Sequence, residues 1–556
     1  MNLPQLPLAP NDSASLWTTR NSRTRITGTW RTRAPEYRST AAPCLAACPV
    51  NGTIARWIGE VRAGNLRRAW ELLVENNPFP AIAGRICHHP CESACNRQQH
   101  DESVSICALE RHVGDAALAA GWAYPKPATE RRKRIAIVGG GPAGLSAAYQ
   151  LRRRGLQVTL FESRPELGGL LRYGIPDYRL DKRVLDGEVR RIVDLGVEVR
   201  RGAMIESAAA LAELRAQFDA VFLATGATRS RALPGLDYGQ PWVVDGADFL
   251  AAANAGEAIA PGARVVVIGG GSAAMDVART ARRLGREVSV LALEAEGALP
   301  AQRIEVDEAL EEDVRFVCGA MLQRVEPADQ GLVLHCVRVA FEPGATRGEF
   351  KVTPIEGSAF TLAADLVVPS IGQSTDLERW RGLLEAAGPV IGVDRGFRTS
   401  AEGVFAGGDV ASLQRFFTEA VGMGKKAAIE IDAYVSGEAA PNLEVGATVP
   451  FDQINTSYHP RAPRQEAPIR GVAERLGSFA EVQGRLDDAA AQAEAQRCFS
   501  CGSCTQCDNC YFYCPDAAIE RTETGYTVRY DHCKGCGLCV EECPTGAVLM
   551  RNEERL

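Results

Sequence analysis

Two short apolar runs organise the middle of this chain: Ile135-Ala136-Ile137-Val138 and Val265 to Ile268. Each ends in a cluster of glycines and leads into a helical pattern. Two strand–glycine turn–helix units of this kind predict an α/β, doubly wound parallel sheet. Upstream, Ile54, Trp57, Ile58, Val61, Leu66, Trp70 and Leu73 recur at helical spacing, so residues about 40–120 read as small helices set among cysteines. A basic linker with Pro125, Pro127 and Arg131-Arg132-Lys133-Arg134 separates them from the first strand. Residues about 436–490 are rich in Pro, Ala and Glu with weak periodicity and read as an extended connection.

At 556 residues the chain should hold several domains, and an apolar fraction of 46% supplies real cores. No stretch of about 18 apolar residues is present, so no membrane partner is expected. The net charge of -7 carries no nucleic-acid signature. Of 18 cysteines, all but Cys318 and Cys336 fall in short spacings within a long chain without a signal peptide. That favours metal binding in a reducing compartment, hence a cytoplasmic protein. Residues 1–40 carry Arg20, Arg23, Arg25, Arg31, Arg33 and Arg38 against two acids. This is a basic lead-in to the first domain or a transit peptide; Pro4, Pro7 and Pro10 oppose the second.

The end of the chain repeats one spacing: Cys504-x2-Cys507-x2-Cys510-x3-Cys514-Pro515, then Cys533-x2-Cys536-x2-Cys539-x3-Cys543-Pro544. This is the ligand spacing of a bacterial-type ferredoxin with two [4Fe–4S] clusters, in which the fourth cysteine of each run serves the other cluster. Cys504, Cys507, Cys510 and Cys543 are therefore expected on one cluster, and Cys533, Cys536, Cys539 and Cys514 on the other.

Gly139-x-Gly141-x-x-Gly144, with Pro142 and Ala143 between, follows the first apolar run. Its glycines allow a tight turn, a close backbone approach to a pyrophosphate and close helix–strand packing. The phosphates then meet a helix N-terminus. Glu162, 18 residues after Gly144 at the end of the next strand, can accept from a ribose diol. Gly269-x-Gly271-Ser272-Ala273-Ala274 repeats the pattern, and Glu294 follows the next strand. A carboxylate there accepts from the 2′-hydroxyl of NAD and repels the 2′-phosphate of NADP, so NAD is expected.

Later segments resemble the two-dinucleotide flavoprotein fold: Gly169-Leu170, Ala224-Thr225-Gly226, and Gly403 to Asp409 with Gly408. The resemblance implies FAD at the first site. Gly408-Asp409 would hold its ribityl–pyrophosphate region, and the helix beginning near Thr418-Glu419-Ala420 would point its positive end at the ring. Gly269 to Ala274, Glu294 and Gly372 would serve NAD. Hydride transfer to a flavin requires no catalytic side chain. With Cys44-x3-Cys48-Pro49 and Cys87-x3-Cys91-x3-Cys95 ahead of both sites, residues 40–435 resemble the glutamate synthase small-subunit family and the matching part of dihydropyrimidine dehydrogenase. The expected architecture is a two-dinucleotide-binding, Rossmann-like flavoprotein with an N-terminal helical Fe–S domain (1–130) and a C-terminal α+β ferredoxin domain (498–556). Between them lie an FAD domain (131–257 and 365–435), an inserted NAD domain (258–364) and a linker (436–497).

One departure matters. Family members with two N-terminal clusters carry a further Cys-x2-Cys before the position of Cys44, where this chain reads Pro35 to Pro43 without cysteine. The resemblance thus implies one N-terminal cluster, on Cys48, Cys87, Cys91 and Glu110, with Cys44, Cys95 or Cys107 as possible substitutes. Cys498 and Cys501 are free thiols or help to ligate a cluster elsewhere.

These parts predict a converter: ferredoxin clusters handle single electrons, nicotinamide takes a pair, and FAD joins the two. The fused ferredoxin is similar to the NAD-linked flavin subunits of 2-oxoacid oxidoreductases, such as phenylglyoxylate or 2-oxoglutarate dehydrogenases. That resemblance implies thiamine-diphosphate and ferredoxin-like partner subunits. The alternatives are an NAD(P)H-oxidising small subunit of glutamate synthase or another reductase, and a non-catalytic Fe–S relay.

Overall fold

The computed structural model describes residue 28 and residues 31–344 and 349–553. Arg20, Arg23 and Arg25 of the basic lead-in lie outside them.

Five parallel strands form the central sheet, in the spatial order Val404–Ala406, Ala220–Leu223, Arg134–Val138, Gln157–Glu162, Glu198–Arg201. The helix Pro142–Arg153 follows the Arg134–Val138 strand, and the long helix Phe417–Ser436 packs along it. A second parallel sheet orders Leu366–Pro369, Arg264–Ile268, Glu287–Leu291, Arg315–Val317. Its buried residues Val266, Ile268 and Leu291 are covered by an antiparallel meander of Ala320–Ala328, Gly331–Pro343 and Phe350–Ala364.

The boundaries of the inserted unit differ from the sequence expectation. The apolar run Leu366–Pro369 was expected to reopen the first dinucleotide domain at residue 365. It instead pairs with Arg264–Ile268, because a strand buried on both faces needs a parallel neighbour on the sheet its own helices cover. The helix Gly246–Ala255, expected outside the insertion, packs Phe249 and Leu250 into the same core.

The N-terminal helices Ile54–Arg62 and Leu66–Val74 bury Trp57, Ile58, Val61, Trp70 and Leu73 on one face, as their spacing predicts. The lead-in does not all belong to them. Arg33–Tyr37 pairs antiparallel with Val548–Asn552 in a two-stranded sheet, so it covers a ferredoxin strand from the far end of the chain. An apolar strand edge left unpaired there would face water.

Residues 436–497, expected as an extended linker, form a strap fastened along the other domains. Glu481 accepts from Arg85 Nε (2.6 Å) and Arg111 Nη2 (2.8 Å) of the helical domain. Arg475 Nη1 reaches Glu311 of the inserted unit (2.7 Å), and the Val482 amide donates to the Tyr178 carbonyl (2.9 Å). The helix Asp488–Gln496 then packs on Ile54–Arg62 and Ile106–Ala119. Buried Arg497 pairs with Glu494 (2.7 Å) and Asp101 (3.1 Å), while Arg97 donates to the Arg497 carbonyl (2.9 Å). Weak periodicity hid this strap because it is held by ion pairs and backbone hydrogen bonds, not by an apolar stripe.

A second buried charge cluster stabilises the inserted unit. Glu312, with no exposed surface, accepts from Arg279 Nη2 (2.7 Å) and Arg283 Nη1 (2.5 Å), and the Arg283 guanidinium lies 3.8 Å from the Tyr178 ring centroid. Burial alone would raise the carboxyl's pKa, but hydrogen bonds from the two arginines outweigh it and hold the group below the ordinary range. Its stabilisation is therefore present above the unfolded glutamate range and lost as pH falls through the depressed folded value. Glu312→Gln, which leaves buried Arg283 without its counter-charge while Arg279 keeps Glu308 (2.5 Å), should destabilise the inserted unit by about 3 kcal/mol. Denaturant unfolding at neutral pH measures it, and the difference from the parent should shrink in acid.

Candidate functional site

The first glycine turn joins the strand Arg134–Val138 to the helix Pro142–Arg153, with Gly141 at the helix N-cap. The packing is close enough that a Cβ on Gly144 would stand 1.9 Å from the Gly139 carbonyl oxygen. Glu162 is buried at the end of the second strand. Its carboxylate accepts from the Gly140 amide (2.8 Å) and the Arg164 amide (2.8 Å), so it also locks the turn it was expected to complement. Gly168 and Gly169 fold back over this turn, with the Gly168 amide on the Gly140 carbonyl (2.8 Å). Leu170, the next residue, is exposed. Thr225 and Gly226 follow the adjacent strand, whose extension is marked by the Ala224 amide donating to the Val138 carbonyl (2.8 Å). Gly408 approaches Ala143 from the Val404–Ala406 side of the sheet, with Asp409 beside it.

The helix Phe417–Ser436 starts at the same place, with Thr418 and Ala420 buried in its first turn and Glu419 half-buried. Burial raises the Glu419 carboxyl, which Lys426 partly offsets. The helix is wedged on two sides. A Cβ on Gly424 would lie 2.2 Å from the Ala143 carbonyl oxygen, and one on Gly422 would lie 2.4 Å from that of Pro49. One helix therefore touches both the phosphate-turn helix and the Cys48-Pro49 loop. A glycine fold, a helix N-terminus and a locked turn fit a flavin dinucleotide.

The second turn repeats this geometry. The strand Arg264–Ile268 leads through Gly269 to Gly271, N-cap of the helix Ser272–Arg283, whose first turn holds Ser272, Ala273 and Ala274. The strand before Glu294 ends at Leu291, earlier than expected. Even so, Glu294 Oε2 stands 3.1 Å from where a Cβ of Gly270 would be, as Glu162 Oε2 stands 3.0 Å from that of Gly140. The two acids occupy matching positions, both over their glycine turns. Gly372 lies in the loop after Leu366–Pro369 and accepts from the Arg231 amide (3.1 Å). Asp276 fastens this helix to the first domain through Arg179 Nη1 (2.8 Å), and Arg179 also pairs with Glu305 (2.6 Å).

In the helical domain the charges of Cys48, Cys87, Cys91 and Glu110 act on one another. Burial raises the Cys48 thiol, opposed by amides of Gly52, Val50 and Asn51 that donate to its sulfur. Burial pushes Cys87 up to about 12, and the Glu110 charge adds to this, while the His89 amide (3.4 Å) stabilises its thiolate. Cys91 lies far above the ordinary thiol range, again through burial first. Glu110 is pushed up to about 7 by burial, although Asn77 donates to its Oε1 (2.8 Å). One buried and two half-buried thiols with a half-buried carboxyl, all disfavoured as ions by their surroundings, fit a site completed by iron, whose charge favours the thiolates. Cys107 lies nearby but donates to the Ala83 carbonyl (3.4 Å). The charges of Cys44 and Cys95 couple to those of Cys498 and Cys501, and that of Cys44 also to Cys48.

This set abuts the flavin helix. Cys87 Sγ lies 3.8 Å from the Thr418 hydroxyl, and the His88 and Phe416 rings stack at 4.0 Å. Lys425 Nζ donates to the Val50 carbonyl (2.8 Å) and Asn76 Oδ1 (2.7 Å). Burial lowers its pKa to about 8, and Cys48 partly opposes this. No spacing in the sequence singled out Lys425 or Asn77, because both act across elements far apart in the chain.

In the C-terminal module Cys510 feels the charges of Cys507, Cys504 and Cys543. A recess is lined by Cys533, Cys536, Cys539 and Cys514, with Pro35 of the N-terminal strand at its edge. The fourth cysteine of each run thus stands with the other run's first three.

Residues 133–424 match the pyridine nucleotide-disulphide oxidoreductase family, residues 37–122 the 4Fe-4S cluster domain described as dihydropyrimidine dehydrogenase domain II, and residues 503–547 a 4Fe-4S dicluster domain. The chain is 35% identical to the NADP(+)-dependent formate dehydrogenase subunit beta of Moorella thermoacetica, over 83% of this chain and 70% of that protein. It is 34% identical to the NADPH-Fe(3+) oxidoreductase subunit beta of Geobacter sulfurreducens, over 83% and 75%. The glutamate synthase [NADPH] small chain of Azospirillum brasilense is 33% identical over 73% and 88%. The chain belongs to the pyridine nucleotide-disulphide oxidoreductase family, as a glutamate synthase small-subunit-like member with 4Fe–4S domains on both sides of its dinucleotide-binding core.

Proposed function

We propose that this chain is the NAD(H)-reacting subunit of a multi-subunit redox complex, exchanging electrons between the nicotinamide and a partner's substrate centre. The observation that carries the reading is the shared helix Phe417–Ser436, which packs the first glycine turn against the Cys48 and Cys87 loops. Gly139, Gly141, Pro142, Ala143, Gly144, Glu162, Gly169, Leu170, Thr225, Gly226, Gly408, Asp409, Thr418, Glu419 and Ala420 would hold FAD. Bound there, FAD would supply the exchange between a hydride pair and single electrons. Gly269 to Ala274, Glu294 and Gly372 would hold NAD and present its ring from the inserted unit. Cys48, Cys87, Cys91 and Glu110 would bind one [4Fe–4S] cluster beside the flavin helix, and the two ferredoxin sets would bind two more. Lys425 would place a cation beside the first, where a low dielectric makes its charge count.

The partner carries the substrate chemistry. A 2-oxoacid oxidoreductase with thiamine diphosphate is the partner we infer from the fused ferredoxin. The relatives that align through most of this chain, named as formate dehydrogenase and Fe(3+) oxidoreductase beta subunits, support a subunit role and favour a formate-oxidising or metal-reducing partner equally. Co-purification under anaerobic conditions followed by mass spectrometry distinguishes these partners from a large amidotransferase subunit. The purified chain itself should bleach its flavin with NADH and pass electrons to a viologen; a chain that binds FAD and iron yet does neither is a relay only.

The preference for NAD rests on Glu294, which stands over the second glycine turn as Glu162 does over the first. Glu294→Gln should lower the kcat/KM ratio of NADH to NADPH by roughly tenfold or more, the worth of one like-charge repulsion in a partly dry site. Equal efficiency with both nucleotides in the parent chain defeats this assignment. Gly144→Val should yield protein lacking FAD, since its side chain would collide with the Gly139 carbonyl oxygen. Absorbance and iron content would read this out, with the ferredoxin iron retained.

A further inference from the structure

Four thiols remain grouped outside the sets above: Cys44, Cys95, Cys498 and Cys501. Cys44 sits in the short helix Pro43–Ala47, which packs on Pro90–Ser93, immediately before Cys95. Cys498 and Cys501 come from the far end of the strap, outside both of the 4Fe–4S segments at residues 37–122 and 503–547. The chain brings them here by direct contacts. Asn96 Nδ2, next to Cys95, donates to Cys501 Sγ (3.6 Å) and to the Val449 carbonyl (2.9 Å). Arg97 donates to the Arg497 carbonyl (2.9 Å), and the Val449 amide donates to the Ala41 carbonyl (3.0 Å). The four sulfurs are close enough that the charge of Cys44 feels those of Cys498, Cys95 and Cys501.

The Cys498-Phe499-Ser500-Cys501 loop has the backbone of a cluster-binding loop. Ser500 has φ 54, a left-handed conformation uncommon for a residue with a side chain, and its amide donates to Cys498 Sγ at 3.4 Å. In the ferredoxin run Cys533-Lys534-Gly535-Cys536, Gly535 has φ 71 and its amide donates to Cys533 Sγ at the same 3.4 Å. Gln506, third in Cys504-x2-Cys507, has φ 55. The turn therefore aims an amide at a thiolate in each case. Among the described residues no three His, Cys, Asp or Glu groups converge as they would on a single ion. A cubane cluster asks for the other arrangement, four thiolates standing apart around its faces.

We propose that Cys44, Cys95, Cys498 and Cys501 hold a further [4Fe–4S] cluster, with the stretch that joins strap and ferredoxin supplying two ligands to the N-terminal helical domain. The pair replaces the Cys-x2-Cys that the sequence lacks before Cys44. Its place in the fold lies between the Cys48 set, one helical turn from Cys44, and Cys504, three residues after Cys501. It thereby closes the gap along which single electrons would step from the flavin side to the ferredoxin. Only this relay role, not the binding of the cluster, rests on the function proposed above.

The full chain, prepared anaerobically, should contain about sixteen iron and sixteen acid-labile sulfide per FAD, four for each [4Fe–4S] cluster. The double variant Cys498→Ser/Cys501→Ser should lose about four of each and one cluster signal in electron paramagnetic resonance, with FAD and both ferredoxin signals kept. A variant with undiminished iron, or a Cys498–Cys501 disulfide in the iron-loaded protein, would overturn the proposal. Alkylation of the anaerobic parent decides the matter even if the variant fails to fold: Cys498 and Cys501 shielded from the reagent support the cluster, and both thiols modified overturn it. Anaerobic NADH added to the same parent sample separates the two readings. Flavin bleaching with both thiols modified sinks the cluster alone, and shielded thiols without bleaching sink the electron-transfer function alone.

Discussion

Two absent side chains set the spacing of the redox core. Gly422 and Gly424 let the helix Phe417–Ser436 lie in backbone contact with the Pro49 carbonyl on one side and the Ala143 carbonyl on the other. Any larger residue would push the cysteine loop or the phosphate-turn helix away, since a Cβ would stand 2.4 Å and 2.2 Å from those oxygens. Packed interiors do not absorb such a displacement. The helix also aims its N-terminus, with buried Thr418, at the place where the dinucleotide fold and the Cys87 thiol meet. The first glycine turn and the Cys48 and Cys87 loops are therefore coupled through one rigid element rather than through a flexible domain boundary.

The same logic governs the buried charges. The thiols of the helical domain are held well above their ordinary range by burial, with amides such as those of Gly52 and His89 working against it. A site of this kind is unfavourable for thiolates on their own and favourable with iron, so folding and cluster binding support each other. The strap at 436–497 uses charge differently. Its Glu481 is matched by Arg85 and Arg111 and its Arg497 by Asp101, all in another part of the chain, while Glu494 pairs with Arg497 inside the strap. Such pairing gives specificity of docking more than net stability. It suits a strap whose task is to hold three domains in one arrangement.

Local pattern is a sound guide where chemistry depends on short spacing. Both glycine turns, the apolar strands before them and the two ferredoxin runs are each specified within about twenty residues, because tight turns and cluster loops constrain neighbouring positions directly. The helical face of Trp57, Val61 and Trp70 is likewise a local property. Glu294 was legible as the counterpart of Glu162 for the same reason, although the strand before it is shorter than its apolar run suggested.

What only the tertiary structure decided is which distant segments meet. Arg33–Tyr37 pairs with the C-terminal strand Val548–Asn552, Leu366–Pro369 joins the inserted unit, and Cys498 and Cys501 turn back to Cys44 and Cys95. None of these pairings has a periodic signature. Each depends on an exposed strand edge, a doubly buried strand or a set of half-buried sulfurs finding its complement a hundred or more residues away, and such long-range complementarity exists only once the chain is folded. The amino-acid order by itself determined the kinds of cofactor-binding parts this protein contains; the fold determined their sequence in space, because packing and charge pairing act through distance, not through position in the chain.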